Sequence, residues 1–77
     1  MSTTAEALLN IMSVRLAMQE SGTTKPHPSA ALATRQLVQK LSVLAPSESI
    51  EISYTLEPFH ARYVRSQTGE VLAEILE

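Results

Sequence analysis

Apolar and polar side chains alternate without interruption from Ile50 to Glu57. Ile50, Ile52, Tyr54 and Leu56 fall on one side, and Glu51, Ser53, Thr55 and Glu57 on the other. A period of two is the mark of a half-buried strand. The chain that follows supplies two antiparallel partners, so residues 50–76 read as a meander. The first turn is placed at Pro58-Phe59, which sets Leu56 opposite Ala61, Tyr54 opposite Tyr63 and Ile52 opposite Arg65. The second is read as a three-residue loop, Gln67-Thr68-Gly69. That choice puts Ala73 opposite Tyr63, Ile75 opposite Ala61 and Arg62 opposite Glu74, whereas a one-residue slip would turn Glu74 inward. Gly69 then stands where such a hairpin needs a left-handed residue.

The first half of the chain follows a helical period. Residues 4–20 read as a helix, with the capping-box spacing at Thr3 and Glu6 and a stop at Ser21-Gly22. Its apolar surface is wide: Leu8, Met12 and Leu16 form one stripe, and Ala7, Ile11, Val14 and Met18 form a second beside it. Residues 21–28 form a linker containing Pro26 and Pro28. Residues 30–44 read as a second helix capped by Ser29, with Leu37, Val38, Leu41 and Leu44 on one face and Pro46 ending it.

These elements predict an α+β fold in the order ααβββ over one domain, 1–77, with the helices on one face of the sheet. Three strands make a sheet about 10 Å wide between its outer axes. Packed helices lie about 8–10 Å apart, so one helix covers most of that face. A first helix with two apolar sides then needs a second surface. This designates Leu8, Ile11, Met12, Val14 and Met18 as a dimer interface, most simply isologous. On the outer sheet face the predicted register clusters Val64, Leu72 and Leu76 beside Arg62, a candidate patch for a partner protein.

Composition narrows the function classes. The 77 residues carry eight acidic and six basic side chains, a net charge of −2, and no cysteine. That balance gives no general drive toward nucleic acid or an anionic membrane. No disulfide or thiolate metal site is possible. No run of about 18 apolar residues is present, and no basic residue precedes the first apolar stretch, so a soluble cytoplasmic protein is expected.

Catalytic and cofactor chemistry is not indicated. His27 lies in the linker and His60 opens a strand, where it is expected to pair loosely with Glu57; neither has the converging ligands a metal requires. Glu51 and Glu57 are about 20 Å apart along one strand, too far to act together. No nucleophile elbow or glycine-rich phosphate loop occurs. Arg62 and Arg65 near Tyr54, Phe59 and Tyr63 superficially suit single-stranded nucleic acid. Glu74 opposes Arg62, however, and both tyrosines face the helices.

The C-terminal stretch resembles the FlaG family of small flagellar proteins. Ile50–Leu56 is similar to its first strand. Tyr63-Val-Arg-Ser-Gln-Thr-Gly-Glu-Val-Leu-Ala-Glu-Ile75 is similar to a segment of the form D-S-x-T-G-E-V-I-R-Q-I-P. Arg65 stands where that family usually has Asp, and Leu76 stands where it has Pro. The resemblance covers about a third of the chain and implies a non-enzymatic role in filament growth. The residues themselves point to a small non-enzymatic protein-interaction module, a homodimeric adaptor or regulator of a partner protein. The alternatives are the FlaG-like accessory role and a small-molecule binder between helix layer and sheet near Tyr54 and Tyr63.

Overall fold

The computed structural model describes residues 1–76. It contains two helices and a four-stranded antiparallel sheet. In chain order these are β1 (Ser2–Thr4), α1 (Ala5–Glu20), α2 (Pro28–Leu41), β2 (Ser49–Leu56), β3 (Phe59–Arg65) and β4 (Val71–Leu76). The strands lie side by side in the order β1-β2-β3-β4. The Cα trace is only 15 Å through its thinnest dimension, as expected for one layer of helices on one sheet.

The fourth strand corrects the expected count of three. Ser2–Thr4 pairs with β2, Ser2 opposite Glu51 and Thr4 opposite Ser49. Helix α1 therefore begins one residue later than its capping-box spacing predicts. Thr4, not Thr3, is the N-cap, and its hydroxyl accepts from the Ala7 N–H at 3.2 Å. Three residues are too few to display an alternation, so β1 left no pattern to read. Helix α1 ends at Ser21, followed by Gly22 at φ +79°, the left-handed conformation that closes many helices.

Helix α2 starts two residues ahead of the expected position and ends at Leu41, three residues short of it. Pro28 takes the first helical turn, where its missing N–H costs nothing. His27 is the cap: its Nδ1 accepts from the Ser29 N–H at 3.2 Å. Ser29, freed from capping, ties the helix to the sheet. Its hydroxyl donates to the Leu76 carbonyl at 2.7 Å and accepts from the Leu76 N–H at 3.2 Å.

The first hairpin differs from the expected register by two residues. Leu56 faces Phe59, so Tyr54 pairs with Ala61, Ile52 with Tyr63 and Ile50 with Arg65. Phe59 is drawn into the strand because its ring packs against the core. A shift of two keeps every side chain on its expected face.

The second hairpin combines a longer loop with a bulge. The Arg65 N–H donates to the Glu70 carbonyl, which leaves four residues, Ser66–Gly69, in the loop rather than three. Val64 then pairs with Val71, whereas Tyr63 pairs with Ala73 as expected; the register shift between them leaves Leu72 as the extra residue. A bulge re-aims a side chain. Leu72 turns inward and is only 2% exposed, one of the four largest fully buried side chains.

One apolar cluster joins all the layers: Leu8 and Met12 from α1, Leu37 and Leu41 from α2, and Ile50, Tyr63 and Leu72 from the sheet. Small residues let the layers approach. Ala33 of α2 and Ala73 of β4 are both buried where that helix lies on its strand.

Candidate functional site

The two stripes of α1 have different fates. Leu8 and Met12 are buried in the chain's own core, so these two residues of the expected dimer interface are corrected to structural ones. Ile11, Val14 and Met18 are exposed, Val14 at 60%. At 100° per residue their stripe is turned about 110° from the line of Leu8 and Met12. Leu9, on the opposite flank, shares a small cleft with Leu41 and Leu44 beyond α2. Gln19 donates to the Ala31 carbonyl of α2 at 3.1 Å. The apolar stripe therefore looks away from α2. Helix α2 lies over β4, and α1 follows directly from β1, so this free flank stands on the β1–β2 side of the molecule.

The sheet shows a matching gap. Tyr54 and Leu56 share the core-facing side of β2 with Ile50 and Ile52, and Tyr54 pairs with buried Ala61. Yet Tyr54 is 59% exposed and Leu56 is 71% exposed. The helix-facing side of the β2–β3 hairpin extends past its cover. Strand β1 reaches only as far as Ile52, whose N–H donates to the Met1 carbonyl at 2.7 Å. From Ser53 to Leu56 the outer edge of β2 has no strand beside it among the described residues.

Two ionic groups lie at the other, covered half of β2. The Glu51 carboxylate accepts from the Met1 ammonium at 3.1 Å and from the Ser2 hydroxyl at 3.0 Å. Those hydrogen bonds, the ammonium first, hold its carboxyl below the usual carboxylate range. At the far end of β3, the Arg65 guanidinium donates to Glu48 at 2.6 Å and to Glu70 at 3.1 Å, which raises its pKa above the ordinary arginine value. Arg65 is thus a clamp between the start of β2 and the second hairpin.

The outer-face patch does not assemble as expected. Leu72 belongs to the core, Val64 is half-buried beside Val71, and Leu76 is exposed at the end of β4. Arg62 lies 3.7 Å from Glu74, its cross-strand neighbour. His60 is 2.7 Å from the same carboxylate, so its partner is Glu74 rather than Glu57. Among the described residues, no group of three or more His, Cys, Asp or Glu side chains could hold a metal ion. None of the described helices is long and apolar enough to cross a membrane.

A cleft of about 280 Å³ opens between α1, α2 and the sheet over Tyr63, with Met12, Arg15, Gln19 and Thr34 among its walls. Tyr54 is not part of it. Gln19 and Thr34 already bond to carbonyls of α2, and Arg15 is the one charged group there among the described residues.

Set against protein-family models, curated proteins and solved structures, the chain matches none.

Proposed function

We propose that this protein is a small non-enzymatic protein-interaction module that works as a homodimer, as an adaptor or regulator of a partner protein. One observation carries the reading: the exposed stripe of Ile11, Val14 and Met18 on a helix whose other apolar side already fills the core. Large contiguous exposed apolar patches mark association sites, whereas singly scattered apolar residues are ordinary surface. Methionine suits such contacts because its unbranched side chain adapts to irregular partners.

The test is the mass in solution by light scattering at micromolar concentration, for the parent chain and for Ile11→Glu. Ile11 lies outside the chain's own core, so the substitution leaves the fold intact. The reading predicts a parent dimer and a monomeric variant; a monomeric parent overturns it.

The cleft over Tyr63 favours a second reading, a small-molecule binder. Its volume falls just below the range of about 300–1,000 Å³ usual for ligand pockets, and Arg15, its one charged group among the described residues, gives little means of orienting a ligand. The FlaG-like accessory role rests on Ser66–Val71, a segment whose residues also suit its turn: Gly69 adopts φ +75° there. Flagellin and filament-cap genes beside this one would favour that role.

A further inference from the structure

We infer that two copies join through the outer edge of β2, antiparallel about a two-fold axis at Thr55, to form one continuous eight-stranded sheet. The inference rests on the homodimer reading above and specifies its geometry.

The backbone groups of β2 point alternately to its two sides. Ile52 exchanges hydrogen bonds with Met1 on the β1 side: its N–H donates at 2.7 Å and its carbonyl accepts from the Met1 ammonium at 2.9 Å. The Ser49 carbonyl points the other way and accepts from the Ser66 N–H at 3.1 Å. Along a strand these directions alternate. The N–H and C=O of Tyr54 and of Leu56 therefore point outward, beyond the reach of β1. These four groups make an open edge of the kind another strand can pair with.

One register satisfies all four. With Thr55 on the two-fold axis, Tyr54 lies opposite Leu56 of the second copy, and Leu56 opposite its Tyr54. Each such pair exchanges two hydrogen bonds, four in total. The neighbouring in-phase registers fail. Centring on Tyr54 sets Leu56 against Ile52, whose edge Met1 already holds. Centring on Leu56 sets Tyr54 against Pro58, which has no N–H to give. Charge agrees with the surviving register: Glu57 meets Ser53, and no two like charges stand opposite each other.

The same operation explains both exposed apolar surfaces. An axis normal to the sheet puts both helix layers on one side. The helix-facing side chains of Tyr54 and Leu56 become cross-strand neighbours across the junction. Above them, the free flanks of the two α1 helices turn toward each other. Helix α1 starts beside Glu48, where the Ala5 N–H donates to the Glu48 carbonyl. From there Met18 is about 20 Å along the helix and Thr55 about 23 Å along the strand. Met18 therefore stands near the level of the axis, with Val14 about one turn of helix behind it.

The chain's lack of cysteine gives a direct test. In the inferred register the two Thr55 residues form a pair without mutual hydrogen bonds, with Cα atoms about 4.5 Å apart, inside the range a disulfide spans. Thr55→Cys under mild oxidation should yield a covalent dimer on a non-reducing gel. Ser53→Cys should not, because the two Ser53 Cα atoms would be separated by about four residues of strand, roughly 13 Å. Amide exchange at Tyr54 and Leu56 should also slow on dimerisation. A parent dimer in which Thr55→Cys fails to cross-link, or in which Ser53→Cys does so equally well, overturns the strand pairing and leaves the homodimer standing. A parent that is monomeric overturns both.

Discussion

Ile50 and Tyr54 point to the same side of the same strand, yet Ile50 is 0% exposed and Tyr54 is 59% exposed. The helix layer ends between them. The core side of β2 therefore continues at Tyr54 and Leu56 past the helices that cover it. The open edge of β2 and the unpartnered flank of α1 lie on the same side of the molecule, and in the proposed homodimer a second copy covers them together.

The inward turn of Leu72 can be checked by truncation. Leu72→Ala removes a fully buried side chain and should destabilise the protein by about 2–5 kcal/mol. Such a loss is a large share of the stability of so short a chain. Leu76→Ala, at an exposed position, should change stability by about 0.5 kcal/mol or less. Denaturant titration of the two variants separates them. Equal, small effects would return Leu72 to the outer face.

Gly69 sits at φ +75°, and a Cβ added there would meet nothing within 4 Å. Any penalty on substitution is therefore backbone strain and not a clash. Gly69→Val should cost about 1–3 kcal/mol, and Gly69→Asn less, because asparagine tolerates the left-handed region. Thermal melts of both variants check the order.

The contact between Glu51 and the Met1 ammonium gives a pH dependence. Folding lowers the Glu51 pKa, so its contribution is fully present above the value in the unfolded chain, about 4.3. It fades as pH falls from there through the lowered folded value. Amide exchange at Ile52, corrected for the intrinsic effect of pH, should accelerate over that acidic window as β1 loosens from β2. Glu51→Gln should show faster exchange already at neutral pH and no further acceleration of this origin on acidification.

The sequence exposes this fold unevenly. Strand β2 was legible because eight residues repeat a period of two, and α1 because its apolar residues span four turns. The inner register of β3 and β4 was legible too, since only one pairing keeps Glu74 out of the core. Strand β1 was not, because three residues cannot establish a period. Leu72 was misplaced for a related reason. The expected three-residue loop and the observed four-residue loop plus bulge give the same pairing at Tyr63 and Ala73, so the pattern inside the hairpin could not distinguish them. Only the side chain at the bulge differs. His27 reads as a linker residue in the sequence because its capping role depends on one local hydrogen bond that no periodicity announces. Of the expected dimer stripe, the sequence could show that α1 has two apolar sides. It could not show which of them the chain buries for itself, since that is decided by where α2 lies.

The central claim is that the exposed flank of α1 and the open edge of β2 are covered by a second copy. Light scattering of the parent protein at micromolar concentration tests it most directly. The account predicts twice the chain mass of 8.4 kDa, reduced to the single-chain value by Ile11→Glu and shifting toward monomer on dilution. A parent protein that stays at the single-chain mass throughout would contradict it.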